Sequence, residues 1–398
     1  MGSSKSNYKN TGSGSTGGST SGGGTTTSET KKYYEKKELF LKGSIVLCQH
    51  GFLGREDTMN PLFQTLRKNV FNYYFNCRFC EGIIRYSELA PSNAGVQELV
   101  NKFLDNPTKN YFIRTLFSDP RYGKVSDQSR ELTAIINLLK KQLAANGYPN
   151  VPVVLIGYSK GGVVNCKCAI DNQNNQIVDK IVNVGTPHDE TLVQDIIQIL
   201  GDALKDGAKV FNLPNPLANI AIQGLVELVN FGVDNVLNES VTYMNLRKEW
   251  NAMKVYPKYT PIAAEAIEVN GAFKGDFVVP TRSAMAQDFR GKTYSEVENN
   301  FIVDDDKVTI TTSVLKKKLG SAGFVIDLLA DAVEIVTGKD IVGIIELLFD
   351  IISNIVDNDA DFTKCLKLAH CSLPLVNNEE FMLNHPTIGM RVLAGLNA

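Results

Sequence analysis

The stretch Val153-Val-Leu-Ile-Gly-Tyr-Ser-Lys-Gly-Gly162 decides the fold class. Its apolar start predicts a short buried strand that ends where the run breaks at Gly157. Ser159 then stands at a sharp turn between glycines, and an apolar segment that predicts a helix follows it. Only glycine fits at the crowded flanks of such a turn, which leaves the serine hydroxyl accessible. The pattern G-x-S-x-G therefore predicts a strand–turn–helix unit that presents Ser159 as a nucleophile.

Strands and helices alternate on both sides of this unit. The patterns predict strands at 44–48, 111–117, 152–156 and 180–184, and helices at 59–67, at 126–145 and from the turn to about residue 170. Such alternation is typical of an α/β fold with a mostly parallel sheet and helices on both faces. The aromatic segment 71–93 fits neither pattern clearly.

Two composition shifts divide the rest of the chain. Residues 1–37 are dominated by Gly, Ser and Thr, which predicts a flexible tail ahead of a folded domain at 38–398. Within that domain, helical insertions are predicted at about 189–257 and 291–360. Their most clearly amphipathic parts are 189–240 and 316–357.

Charge and cysteine content narrow the function classes. The 398 residues carry a formal net charge of −2, so no basic excess favours a nucleic-acid partner. Seven cysteines at irregular spacing suit a reducing compartment, and the sequence shows neither a secretory signal nor a membrane-spanning run, which predicts a cytoplasmic protein. Cys77-x-x-Cys80 lacks a second ligand pair, so no metal site is predicted.

Three further motifs accompany the serine turn. They are Gln49-His-Gly-Phe52, Gly185-Thr-Pro-His188 and Asp276-x-x-Val-Pro-x-x-Ser283. In this order the motifs resemble those of the lipase-type α/β-hydrolase family, and the resemblance spans about residues 44–398. It implies an α/β-hydrolase fold, hydrolysis of carboxylic esters with lipid esters as the expected substrates, and no cofactor.

The resemblance also implies a catalytic triad in the chain order serine, acid, histidine. Asp276 is the candidate acid, because a carboxylate just past a strand end can hold an imidazole in the tautomer that takes the serine proton. Of the four histidines, His50 and His188 precede this acid. His370 and His385 remain as alternatives for the base.

The local sequence favours His370 over His385. The segment 364–370 predicts a final strand, and the catalytic histidine is expected in the loop after the last strand. His385 lies in Asn384-His-Pro-Thr, which predicts the start of the last helix, with Asn384 as N-cap and Pro386 near the first helical position. His385 stays open as the alternative base.

The resemblance also implies an oxyanion hole formed by two backbone N–H groups. Lys160 follows the nucleophile and Phe52 follows the His-Gly pair. Lysine is unusual at position 160, but the chemistry needs its backbone N–H rather than its side chain.

The first residues, Met1-Gly-Ser-Ser-Lys-Ser6, match the N-myristoylation template and predict acylation of Gly2. Over these six residues they also resemble the start of Src-family kinases. A single myristoyl chain binds membranes only marginally, so a second contact is needed for peripheral association. The apolar stripe that begins at Leu192 in 189–240 is a candidate for that contact, and for a lid over Ser159.

Two other functions fit the same motifs. An acyl-thioesterase or protein deacylase would use the same triad. A catalytically silent α/β-hydrolase fold could serve as a membrane-tethered binding module.

Overall fold

The computed structural model describes eleven segments of the chain. They are residues 43–51, 54–55, 57–73, 79–89, 93–120, 123–188, 242–269, 273–292, 301–311, 359–371 and 381–398. The predicted tail at 1–37, Gly2, Phe52 and the segments 189–240 and 316–357 lie outside the described residues. Within the described part, no helix combines the length and the hydropathy needed to cross a membrane.

A parallel sheet of seven strands forms the centre of the described fold. In chain order these strands are β1 (Ile45–Gln49), β2 (Phe79–Arg85), β3 (Asn110–Leu116), β4 (Val153–Tyr158), β5 (Lys180–Val184), β6 (Lys258–Ala264) and β9 (Ile302–Val303). Their order in the sheet is β2-β3-β1-β4-β5-β6-β9, and each neighbouring pair is parallel. Because all strands point the same way, their carboxyl ends meet at one edge.

A second sheet has three short strands, in the order β10-β7-β8. They are β7 (Ile267–Val269), β8 (Phe273–Gly275) and β10 (Val308–Ile310). Strand β7 follows β6 after only two residues, so the small sheet continues from the central one. Strand β8 ends immediately before Asp276.

Eight helices are described around the sheets. They are α1 (Asn60–Tyr73), α2 (Ala94–Asp105), α3 (Val125–Ala145), α4 (Lys160–Asp171), α5 (Thr242–Asn251), α6 (Thr281–Ala284), α7 (Asp359–Leu366) and α8 (Pro386–Asn397). Helices α2 to α5 pack in a chain of neighbours, whereas α1 packs on α8, which contacts β5 and β6.

The alternation of side chains along the strands explains this division into two layers. Ile45 and Leu47 belong to the buried cluster that includes α2, α3 and α4, whereas Val46 and Cys48 are equally buried but do not join it. A central strand with helices on both faces is apolar at every position, as the run in β4 is. The predicted class, a mostly parallel sheet covered on both faces, is therefore confirmed.

One local prediction is wrong. Residues 364–370 do not form a strand: α7 ends at Leu366, and three successive turns carry the chain to His370. A short apolar run does not distinguish strand from helix by periodicity alone. Here Cys365, Leu366, Leu368 and Ala369 are buried at the end of a helix and in the turns after it.

The predicted insertions are described only in part. Within 189–257, helix α5 packs on α4, and the indole of Trp250 is fully buried beside Tyr259 and Phe289. Within 291–360, residues 301–311 contain β9 and β10, which pair with β6 and β7.

Candidate active site

Ser159 lies between the end of β4 and the start of α4, with the backbone angles φ 53° and ψ −128°. A non-glycine residue in such a region costs of order 1–3 kcal/mol, and the surrounding structure must hold it there. The Ser159 N–H donates to the carbonyl of Val184 in β5, and the Ser159 carbonyl accepts from Gly162 N–H. The turn is therefore tied to the neighbouring strand as well as to its own helix.

The flanking glycines are required by close approach of the backbone. A Cβ atom on Gly161 would lie 2.5 Å from the carbonyl oxygen of Gln49 and 2.6 Å from that of His50. A Cβ atom on Gly157 would lie 2.5 Å from the nitrogen of Gly162. The crowding that the motif predicts at its flanking glycines is thus present at both positions.

Three sequence-predicted residues come together at the carboxyl edge of the sheet. Ser159 Oγ lies 2.8 Å from Nε2 of His370, and Nδ1 of His370 lies 2.8 Å from Oδ2 of Asp276. All three residues are buried, with exposed fractions of 9 % for Ser159, 6 % for His370 and 0 % for Asp276. They come from three segments that are far apart in the chain.

The carboxylate of Asp276 is held from two sides. Its Oδ1 accepts hydrogen bonds from the backbone N–H of Val278 at 3.0 Å and of Val279 at 2.7 Å. Its Oδ2 is left to accept from Nδ1–H of His370, and the backbone N–H of His370 also donates to the Asp276 carbonyl. With Nδ1 protonated, Nε2 carries the lone pair that faces the serine hydroxyl.

His385 is engaged elsewhere. It is the N-cap of α8, where its Nδ1 accepts from the Thr387 N–H and Pro386 takes the first helical position. Its Nε2 donates to Oδ2 of Asp306 at 3.2 Å. The helix start was thus predicted one residue early, because His385 itself caps the helix in place of Asn384.

His188 joins two of the sequence motifs. Its backbone N–H donates to Ser283 Oγ, its Nδ1–H donates to the Ser283 carbonyl, and its Nε2 accepts from the Tyr259 hydroxyl. Burial lowers the pKa of His188 to about 4, so it stays neutral near pH 7. The Gly-Thr-Pro-His segment is therefore fastened to the helix that follows the Asp276 loop.

His50 and Lys160 make local contacts near the serine. His50 Nδ1–H donates to the Gly51 carbonyl at 2.8 Å, and burial lowers its pKa below the ordinary value. The Lys160 side chain is almost fully buried, and its Nζ donates to the Gly123 carbonyl. Phe52, the other predicted oxyanion residue, is outside the described residues.

A cavity of about 560 Å³ opens at the same edge of the sheet, beyond β2 and β3. It is lined mainly by polar and charged residues, among them Ser118, Lys124, Asp127 and Arg130. Ser159, Asp276 and His370 do not line this cavity, so it is separate from the three hydrogen-bonded side chains. No group of three or more His, Cys, Asp or Glu side chains able to hold a metal ion occurs within the described segments.

Residues 95–217 match the model of a family described as "Alpha/beta hydrolase of unknown function (DUF915)". This match covers β3, β4 and β5 together with the serine turn. The chain has an α/β-hydrolase fold. The parallel sheet, the turn after β4 and the family match agree on this point. No curated protein sequence matches the chain significantly.

Several solved structures are similar to this chain at low identity. The lin2722 gene product of Listeria innocua is 13% identical, with 71% of this chain and 91% of that chain covered at a TM-score of 0.37. A soluble variant of monoglyceride lipase from Saccharomyces cerevisiae is 9% identical, with coverages of 76% and 89% and a TM-score of 0.30. The esterase LipA from Xanthomonas oryzae is 11% identical, with coverages of 75% and 82% and a TM-score of 0.26.

Sequence reasoning missed Tyr158 as part of this site. Its hydroxyl donates to the His370 carbonyl, and its ring stacks on the imidazole with the centroids 5.3 Å apart. The only sequence signal is its position directly before the serine.

Proposed function

We propose that this α/β-hydrolase is a serine hydrolase of carboxylic esters. The observation that carries the proposal is the continuous hydrogen-bonded series from Ser159 Oγ through both nitrogens of His370 to Asp276, with two contacts of 2.8 Å. A nucleophile with an adjacent base, itself oriented by a third group, is the arrangement that activates a hydroxyl for covalent catalysis.

The proposed reaction has two halves. Ser159 Oγ attacks the acyl carbonyl while His370 Nε2 takes its proton, and the resulting imidazolium then protonates the leaving alkoxide, which departs as an alcohol. In the second half, His370 takes a proton from water, the hydroxide attacks the acyl-serine, and the acid leaves as Ser159 regains its proton. Asp276 keeps Nδ1 protonated and stabilises the imidazolium throughout.

The negative oxygen of the tetrahedral intermediate needs hydrogen-bond donors. We assign this role to the backbone N–H groups of Lys160 and Phe52. Lys160 stands at the N-terminus of the 12-residue helix α4, where the helix dipole favours negative charge. Loss of one such donor costs about 3 kcal/mol of transition-state stabilisation.

Lipid esters are the substrate class that we propose. Support comes from the sequence: the segment 189–240, which follows β5 in the chain, carries Leu192, Val193, Ile196, Ile197 and Leu200 at helical spacing. An apolar stripe of this kind can accept an acyl chain or meet a lipid interface.

A panel of matched acyl esters and acyl thioesters tests the proposal on purified full-length protein. We expect Ser159-dependent hydrolysis of esters, with higher rates once the ester forms micelles or is presented in vesicles. Preference for thioesters would instead identify an acyl-thioesterase. No Ser159-dependent turnover of either class would refute the proposal and favour a binding module.

Replacing Asp276 by Asn is expected to lower kcat by about 10⁴. The backbone N–H groups of Val278 and Val279 would retain the amide oxygen, so the amide NH₂ would face Nδ1 of His370. That nitrogen would then have to accept, and Nε2 would carry a proton toward the serine. Steady-state rates on a soluble ester measure the effect.

The matched control for Asp276→Asn is Asp306→Asn, which alters the carboxylate partner of His385 instead. We expect the control to keep the wild-type rate within a few-fold. If kcat of Asp276→Asn lies within tenfold of the wild-type value, Asp276 does not orient His370.

We also propose that the protein is cytoplasmic and is myristoylated on Gly2, which places part of it on membranes. The support is the template Met1–Ser6. Gly2→Ala should move the membrane-associated fraction to the soluble fraction without changing turnover of a soluble ester. Intact mass of the natively expressed protein checks the modification directly, and an unmodified Gly2 in cells with active myristoyl transferase would refute it.

A further inference from the structure

We propose that Tyr158 is a positioning residue for His370, which fixes the imidazole against Ser159 and favours its protonated form during turnover. This inference rests on the proposed function of Ser159, His370 and Asp276. It adds a fourth side chain to the site, from the strand that carries the nucleophile.

His370 needs such support because no regular element holds it. It lies in the turns after α7, between that helix and the segments outside the described residues. Its backbone N–H donates to the Asp276 carbonyl at 2.8 Å, and its carbonyl accepts from the Tyr158 hydroxyl. The N–H of His370 is thus held by the backbone of Asp276, and the carbonyl of His370 is held by the residue that precedes Ser159.

Tyr158 is itself rigidly placed. It is the last residue of β4, its side chain is buried, and its ring lies 6.3 Å from that of Phe381. Burial raises the pKa of Tyr158 well above its ordinary value, so the hydroxyl keeps the proton that it donates. Because Tyr158 and Ser159 are adjacent in the chain, the hydrogen bond from Tyr158 to His370 fixes the position of the base relative to the nucleophile.

The ring contact adds an electrostatic effect. The rings of Tyr158 and His370 are stacked, with an angle of 28° between their planes and 5.3 Å between their centroids. An aromatic face attracts a cation, and the attraction is stronger where water is excluded. His370 becomes an imidazolium after it takes the serine proton, so the tyrosine ring stabilises the charged form more than the neutral form.

The other titratable groups beside this imidazole are few among the described residues. Asp276 bonds to Nδ1, and Cys371 follows His370 in the chain. Burial raises the pKa of the Cys371 thiol to about 12, so it is uncharged near pH 7. The ring of Tyr158 and the carboxylate of Asp276 therefore both favour the imidazolium.

Two substitutions separate the hydroxyl from the ring. Tyr158→Phe keeps the stacked ring and loses the hydrogen bond to the His370 carbonyl, and Tyr158→Leu loses both. We expect kcat on a soluble ester to fall about tenfold in Tyr158→Phe and further in Tyr158→Leu, with KM nearly unchanged. Tyr111→Phe is the matched control, because its hydroxyl also donates to backbone carbonyls but lies in β3, away from the site.

The pH profile gives a readout that a purely structural role would not move. The acid limb of kcat/KM reports the pKa of the free base. Because the ring attracts the imidazolium charge, its loss in Tyr158→Leu should move that limb to lower pH, with little movement in Tyr158→Phe. Thermal unfolding identifies a variant that fails to fold. If Tyr158→Leu fails to fold, the kcat of Tyr158→Phe relative to that of Tyr111→Phe tests the positioning role.

The outcomes distinguish this inference from the proposed function. If wild type hydrolyses esters through Ser159 but Tyr158→Phe has the same kcat as Tyr111→Phe, the positioning role of Tyr158 is refuted and the proposed hydrolase function is retained. If Tyr158→Leu folds and its acid limb is unmoved, the electrostatic part is refuted. A wild-type protein without Ser159-dependent turnover would refute the proposed function first.

Discussion

Ser159→Ala is expected to lower kcat on a soluble ester by about 10⁶, to a residual rate about 10³-fold above that of water. The substitution removes the oxygen that we propose forms the acyl-enzyme, while the donors proposed for the oxyanion remain. Alanine meets the same positive φ as serine, so the thermal midpoint should change little. Steady-state kinetics and thermal unfolding of the same preparation measure both quantities.

Ser129→Ala provides the matched control. Ser129 is a buried serine in α3 whose hydroxyl donates to Asp171, outside the site. Its loss should cost some stability and leave turnover unchanged. Equal activity of Ser159→Ala and Ser129→Ala would exclude Ser159 as the nucleophile.

His370→Ala should match Ser159→Ala in depth, because the serine without its base is a weak nucleophile. His385→Ala should lower turnover less than tenfold. Both nitrogens of His385 are already bonded, to the Thr387 N–H and to Asp306, whereas Nε2 of His370 faces Ser159 Oγ at 2.8 Å. Rates on a soluble ester distinguish the two histidines.

The stability of the two histidine variants is a separate readout. His385→Ala removes an N-cap and should destabilise the fold by about 1 kcal/mol, visible in chemical denaturation. The reverse activity pattern, with His385→Ala inactive and His370→Ala active, would move the base to His385.

The strand–turn–helix unit could be predicted because its signals are local. The run 153–156 is apolar at every position, as a strand covered on both faces requires, and Gly157 makes its close approach to Gly162 within the same turn. Helix α3 followed from its apolar spacing in the same way, and helix α4 from its position after the serine turn. These features depend on neighbours within one or two elements.

The order of motifs also brought Asp276 and His370 forward as candidates, and in the structure His370 contacts Ser159 while Asp276 contacts His370. The reason given for His370 was nevertheless partly wrong, since a helix and turns precede it in place of a strand. Elimination among four histidines was more informative than the local pattern. The capping contact of His385 explains why the alternative base lies elsewhere.

Contacts between distant segments could not be predicted from one sequence. Tyr158 meets His370 across 212 positions, and His188 meets Ser283 across 95. No periodicity encodes such pairs, because they arise only when the carboxyl ends of parallel strands converge. The short strands β9 and β10 were missed for a related reason, since two or three residues carry no measurable alternation.

Covalent labelling tests the central claim, that Ser159 is an activated nucleophile, most directly. A fluorophosphonate probe forms a bond from serine oxygen to phosphorus and releases fluoride, and it requires no knowledge of the natural ester. We expect one probe per chain, mapped by peptide mass spectrometry to Ser159, absent from Ser159→Ala and greatly slowed in His370→Ala. Folded wild-type protein that stays unlabelled, or label that persists in Ser159→Ala, would contradict the account.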